Sequence, residues 1–136
     1  MNPVDELIKE HEEVERELLE LEEITSSNII NLPNLIHVLN KICIMWDPHE
    51  KKENEIFPLL EKKGFIIPID EILCQHGELK THFNIISKAI KSGSEFNIKN
   101  SLNFNGKTII KKLREHKDFE DEILYTIPED IKLSIE

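Results

Sequence analysis

The chain has 136 residues, enough for one domain with a buried core and too few for two ordinary domains. Its formal net charge of −10 at pH 7 argues against nucleic acid as a partner, because phosphate binding needs clustered lysine and arginine side chains. No apolar run approaches the roughly 18 residues of a membrane span. We therefore expect a single domain over residues 1–136, located in the cytoplasm, without nucleic-acid or membrane partners. The sequence leaves the oligomeric state open.

The first predicted helix covers residues 3–24. Asn2 is suited to cap its N-terminus and Pro3 to occupy its first turn. Apolar residues follow at spacings of three and four, which is typical of a helix that buries one face. His11 lies on that apolar face, so we expect it to point into the core.

The second predicted helix covers residues 34–62 and has the same spacing of apolar residues. His49 and Glu53 lie on its apolar face, four residues apart, and therefore point in one direction. Pro48 and Pro58 lie inside this helix. Each removes an amide donor, so we expect a kink or a local unwinding there.

The third and fourth predicted helices cover residues 68–91 and 101–125. The third carries His76 on its apolar face, and the fourth carries His116 and Glu120, again four residues apart. The last two helices therefore repeat the arrangement of the first two: a single histidine on one helix, followed by a histidine–glutamate pair on the next. We interpret the two histidine–glutamate pairs as pairs of metal ligands on helices.

Symmetry about the turns predicts the architecture. In an antiparallel helix hairpin, residues at equal height lie symmetrically about the turn, and the midpoints between consecutive candidate ligands fall near residues 30, 64 and 96. Each midpoint lies in a stretch with turn-forming residues. An antiparallel up-down-up-down four-helix bundle, an all-α fold, would bring six groups to one level: His11, His49, Glu53, His76, His116 and Glu120.

These six groups predict a metal site. A single histidine on an apolar face is usually a hydrogen-bonded core residue, but two buried glutamates need positive charge, and the predicted apolar faces carry no lysine or arginine. Four nitrogens and two carboxylates exceed the four ligands of a structural zinc. They fit two iron ions that share Glu53 and Glu120 and carry an oxo or hydroxo bridge; manganese and zinc fit less well.

Three further groups of residues lie outside the six candidate ligands. Glu50 adjoins His49 and projects to its flank, from which it could reach a metal as an additional ligand, whereas Glu12 and Asp121 are expected to face water. His37 and His82 lie off the apolar faces and are interpreted as surface residues. Cys43 and Cys74 lie at different heights of the predicted bundle and are expected to be free, buried thiols rather than a disulfide, which suits a reducing compartment.

The order of these motifs resembles that of the hemerythrin-like family, also called the hemerythrin HHE cation-binding domain. The resemblance covers nearly the whole chain: His11, the stretch HEKKE at residues 49–53 followed by IFPLL at 56–60, His76, and HKDFE at 116–120. It implies a four-helix bundle with a carboxylate-bridged, non-heme di-iron centre. Such a centre binds oxygen, reacts with oxygen or nitric oxide species, or senses iron, and in some members a residue at the position of Glu50 is an additional ligand.

The chain departs from the oxygen-carrying hemerythrins at two positions. Lys80 lies where those carriers have a second histidine on the third helix, and Glu120 follows His116 by four residues where the carriers have an aspartate at five. The resemblance therefore favours binding, sensing or scavenging of oxygen, peroxide or nitric oxide over reversible oxygen carriage. An enzyme of oxidative or nitrosative stress, acting in iron-centre repair or peroxide turnover, and an iron storage or sensing module are the alternatives. The sequence does not decide whether the protein is an enzyme.

Overall fold

The computed structural model describes residues 2–135, which form helices and turns without a β-strand. Its helices are Pro3–Ser26 (α1), Leu32–Lys62 (α2), Ile69–Lys91 (α3), Glu95–Ser101 (α4), Lys107–Leu124 (α5) and Glu129–Ser134 (α6). A π-helical turn, Leu102–Gly106, joins α4 to α5. Together α4, this turn and α5 form the fourth rod of an antiparallel four-helix bundle, so the predicted fold class is confirmed.

The predicted bounds of the first three helices agree with the structure to within two residues. Their ends have the expected chemistry: the Asn2 side chain accepts from the Asp5 amide, and Asn31 caps α2 in the same way. The turn between α2 and α3 contains Gly64 at φ 98°, a backbone conformation that favours glycine.

The fourth rod begins earlier than predicted. The Ser94 side chain accepts from the Asn97 amide and starts α4, so the segment around Phe96 is helical and the expectation that it forms a loop is wrong. The short helix α6 lies beyond the four predicted helices. It packs back on α1, where Lys132 Nζ lies 2.9 Å from Asp5 Oδ1.

Pro48 and Pro58 do not unwind α2. The helix is continuous from Leu32 to Lys62, and both prolines are exposed. A proline in a helix leaves the carbonyl four residues earlier without its amide donor. Those carbonyls belong to the exposed residues Ile44 and Asn54, where water can replace the missing donor.

The apolar core consists of two clusters separated by a polar layer. One cluster contains the C-terminal part of α1 and the N-terminal part of α2, including Leu18 and Leu35; the other contains the opposite ends of those helices, including Leu7 and Leu60. Along each of the four rods, the predicted ligand positions fall between the two clusters. The fold therefore places a buried polar layer between two apolar layers.

The two cysteines agree with the prediction in their oxidation state but not in their burial. Cys43 and Cys74 are free, as predicted, but Cys43 is only partly buried and Cys74 is exposed, so the prediction of two buried thiols is wrong. Cys74 lies on the outer face of α3, two residues before His76.

Among the described residues, no helix combines the length and the apolar character that crossing a membrane requires.

Candidate metal centre

The polar layer brings together all six predicted ligand groups. Each is buried, with a relative exposure of 0–2% for five of them and 7% for His76. They form two overlapping groups in which one nitrogen or oxygen atom of each residue lies within 4.8 Å of the others. The two groups are His11, His49, Glu53 and Glu120, and His76, His116, Glu53 and Glu120. Both glutamates therefore belong to both groups.

The inner nitrogens of the four imidazoles face each other in pairs. Nε2 of His11 and Nε2 of His49 are 2.9 Å apart, and Nε2 of His76 and Nε2 of His116 are 3.1 Å apart. The carboxylates lie equally close. Glu120 Oε1 is 3.0 Å from the inner nitrogen of His11, and its Oε2 is 3.1 Å from that of His116.

Carboxylates hold the outer nitrogens of the first pair of imidazoles. His11 Nδ1 donates to Asp121 Oδ1 at 2.7 Å, and His49 Nδ1 donates to Glu10 Oε1 at 2.9 Å. An ionised carboxylate can only accept, so in a neutral imidazole the proton lies on Nδ1 and the lone pair on Nε2 points inward. The expectation that Asp121 faces water is wrong, because His11 engages its carboxylate.

The outer nitrogens of the second pair have different partners. His116 Nδ1 lies 2.5 Å from Gln75 Oε1, and the amide nitrogen of Gln75 donates to Glu71 Oε1 at 3.1 Å. Because Glu71 takes the amide N–H, the amide oxygen faces His116 and accepts from it. Within residues 2–135, no polar atom bonds to Nδ1 of His76.

Sequence reasoning missed Glu10, Gln75 and Asp121. Each is the immediate neighbour of a predicted ligand, and each holds an imidazole of a different helix. The signal was present as hydrogen-bonding side chains beside His11, His76 and Glu120. Periodicity could not assign them, since it predicts the face of a helix and not the partner across it.

The donor set fits cations. Both oxygens of Glu53 and Oε2 of Glu120 are buried, and imidazole nitrogens lie beside them: Glu53 Oε2 is 2.9 Å from His76 Nε2, and Glu120 Oε2 is 3.1 Å from His116 Nε2. Buried carboxylate oxygens need a donor or a cation, and the facing Nε2 lone pairs also repel each other unless a positive charge lies between them. Among residues 2–135, no lysine or arginine pairs with either glutamate; the buried Lys117 instead contacts Glu15 at 2.7 Å.

Protonation of the histidines reflects the same need for positive charge. Burial opposes protonation of His11, but the carboxylates around it outweigh the burial and raise its pKa to about 10. The same balance raises the pKa of His49 to about 11. Burial opposes ionisation of Glu53, but the surrounding imidazoles hold the pKa of its carboxyl well below the usual range.

Metal binding should therefore release protons. Because the carboxylates raise the pKa values of His11 and His49 above neutral pH in the metal-free protein, a cation must displace protons from this pair of imidazoles. We expect affinity for a divalent cation to increase with pH between about 6 and 9. Binding enthalpies measured at one pH in buffers with different ionisation enthalpies will count the protons released; values independent of the buffer would contradict this expectation.

A tryptophan covers the polar layer on one side. The Trp46 ring lies 4.9 Å from the ring of His49 and 5.5 Å from that of His116, measured between centroids. Its Nε1 donates to Glu50 Oε1 at 2.5 Å. Glu50 is thus hydrogen-bonded to Trp46 and belongs to neither ligand group. Trp46, Glu50 and the exposed Lys80 line a cavity of about 230 Å³ between α2 and α3.

A second cavity reaches the layer from the opposite end. It has a volume of about 360 Å³, lies between α2 and α3, and is lined mainly by apolar side chains, including Phe57, Ile72 and Leu73. Glu53 also contributes to its wall. This second cavity borders a ligand group directly, whereas Trp46 and Glu50 line the first cavity.

The two remaining histidines lie outside the polar layer. His37 is exposed, and His82 is partly buried, with Nδ1 3.2 Å from Asn105 Oδ1 in the π-helical turn. Neither belongs to a group of residues that could hold a metal ion among the described residues. They provide matched control positions for substitutions of the four central histidines.

The fold and the polar layer define a helical bundle with a buried histidine–glutamate cluster that could hold metal ions. The family model described as the hemerythrin HHE cation binding domain matches residues 2–127. The chain therefore belongs to the hemerythrin HHE cation-binding domain family. No curated protein and no solved structure gives a significant match.

Proposed function

We propose that the polar layer holds two iron ions. His11 and His49 would bind one ion, His76 and His116 the other, and Glu53 and Glu120 would be shared by both. The observation that carries this proposal is the pair of overlapping ligand groups with common glutamates. Two overlapping positions of four donors each account for all six side chains, whereas one tetrahedral ion would leave two of them unused.

The donor chemistry supports iron. Imidazole nitrogens combined with carboxylate oxygens in a bundle core suit iron, with manganese as the next best fit and zinc a poorer one. Bound iron would supply redox chemistry and open coordination positions for oxygen, peroxide or nitric oxide. The residues of the chain would supply the rest: a fixed set of donors and controlled access.

The surrounding residues support a role in binding small ligands. The outer hydrogen bonds of His11, His49 and His116 fix the ring orientations, so that the inner nitrogens are in place before a ligand arrives. Trp46 excludes bulk water from one side of the layer. The two cavities are large enough for oxygen, peroxide or nitric oxide, which we propose as the physiological class of ligand for sensing or scavenging.

The cytoplasm is the location we propose, since Cys43 and Cys74 are both free thiols.

An enzyme acting on peroxide or on damaged iron centres would use the same histidine–glutamate cluster. Sustained consumption of peroxide with a defined reductant would indicate the enzyme, whereas a saturable spectral change without turnover would indicate a sensor or scavenger.

Metal content tests the proposal most directly. Metal-free protein loaded with ferrous iron under anaerobic conditions is expected to retain two iron ions per chain after desalting, and nitric oxide is expected to change its visible spectrum. The His37→Ala and His82→Ala variants should retain the same amount. Retention of one iron ion or none by the wild type, or loss of iron in these two control variants, would contradict the proposal.

A further inference from the structure

We propose that the two metal positions are unequal: the His11–His49 position holds its ion tightly, and the His76–His116 position is a weaker site that exchanges divalent cations with solvent. This inference rests on the proposed function. Both positions offer two imidazoles and share both glutamates. The difference must therefore come from what surrounds the donors.

The partners of the outer nitrogens differ in charge. Asp121 and Glu10, two carboxylates, accept from His11 and His49. A carboxylate acceptor makes the opposite nitrogen a stronger donor and adds negative charge near the cation; loss of such a partner typically weakens metal binding by about 10–100-fold. The position formed by His11 and His49 thus has two anionic supports.

The other position has no anionic support of this kind. His116 bonds to the neutral amide of Gln75, and among the described residues His76 has no partner at its outer nitrogen. The Gln75 side chain cannot turn its amide N–H group toward His116 without losing the hydrogen bond that this group donates to Glu71. His76 therefore lacks, among the described residues, the outer hydrogen bond that fixes the orientation of the other three imidazoles.

Lys52 only partly offsets the charge at the tight position. It lies 2.5 Å from the second oxygen of Glu10, and its side chain is 41% exposed, so solvent screens its charge. Asp121 pairs with His11 alone among the charged groups of residues 2–135. The groups that accept from the outer nitrogens of His11 and His49 therefore keep a net negative charge.

The His76–His116 position is also the more exposed of the two. His76 is the most exposed of the six groups, whereas His11 and His49 are almost completely buried. Glu50 is a further carboxylate in the wall of the cavity between α2 and α3. It is hydrogen-bonded to Trp46 and shares its cavity with Lys80, so we expect it to contribute little to the affinity of the second ion.

Cobalt(II) is a suitable probe, because its visible absorption reports each binding event under anaerobic conditions. Wild-type protein titrated with cobalt in the presence of a competing chelator is expected to bind two ions in two steps, with affinities at least tenfold apart. Addition of excess zinc should then displace one cobalt ion rapidly and the other slowly. The His76→Ala variant should retain the tight, slow ion, and His11→Ala should lose it.

Two conservative variants test the cause without removing a ligand. Asp121→Asn should weaken the first step by about 10–100-fold, and Gln75→Glu should strengthen the second step, bringing the two closer. Glu122→Gln and Asn100→Asp make the same charge changes at exposed positions and should change neither step. Glu50→Gln should leave the order and the separation of the steps unchanged.

The outcomes separate this inference from the function on which it rests. Binding of fewer than two cobalt ions by the wild type would contradict the proposed centre itself. Two ions bound with equal affinity and equal exchange rates would overturn the inference alone. Loss of the second step in Glu50→Gln would also overturn it, since Glu50 would then determine the weaker site.

Discussion

Removal of the metal ions is expected to lower the thermal midpoint of unfolding by roughly 10–20 °C. An ion present at 1,000 times its dissociation constant stabilises the folded state by about 4 kcal/mol, and 1 kcal/mol corresponds to roughly 3–5 °C in a domain of this size. Two ions would give more, but protons on His11 and His49 replace part of the missing charge in the metal-free protein. Calorimetry with and without a chelator will measure the shift.

The control for this experiment is a variant that cannot load metal. Glu53→Gln should show almost no shift on addition of chelator, whereas His37→Ala should show the full shift of the wild type. If chelator left the wild-type midpoint unchanged, the polar layer would be a hydrogen-bonded core without a cation. The same chelator effect in Glu53→Gln would place the responsible ion elsewhere.

The sequence predicts the bundle and its polar layer because two independent patterns agree. Apolar spacing assigns His11, His49 and His76 to inward faces, and symmetry about three turns places them at one height. Each pattern alone is weak. Their agreement restricts the topology, since residues brought to one level on all four rods leave few other arrangements.

Features that depend on contacts between helices could not be predicted in this way. Asp121 lies on a flank of α5, and only the packing of α1 against that flank makes it a partner of His11. The π-helical turn is another case. Gly106 packs closely there, and a side chain would meet Thr25 of α1 at 3.4 Å. Neither contact leaves a periodic signal along the chain.

The continuity of α2 has a similar origin. Pro48 and Pro58 each weaken a helix considered alone, by about 3 kcal/mol or more. The apolar face of α2 is buried in both core clusters, through Leu35 and Ile42 in one and Ile56 and Leu60 in the other. We infer that this packing keeps the helix intact, because both prolines lie on its exposed side.

The shared glutamates should have a larger effect on metal content than any single histidine. Because Glu53 and Glu120 belong to both ligand groups, Glu53→Ala or Glu120→Ala is expected to reduce the metal content from two ions per chain to none. A histidine belongs to one group only. His11→Ala, His49→Ala, His76→Ala and His116→Ala should therefore each reduce the content from two ions to one.

Exposed glutamates on the same helices give matched controls for this comparison. Glu55→Ala on α2 and Glu122→Ala on α5 should retain two ions. Glu53→Gln keeps the size of the side chain and one carbonyl oxygen while it removes the charge, so loss of both ions in this variant, with helicity preserved by circular dichroism, would exclude unfolding as the cause. One ion retained in both Glu53→Ala and Glu120→Ala would mean that each carboxylate serves a single position. The two positions would then be neighbouring sites that load independently rather than one centre.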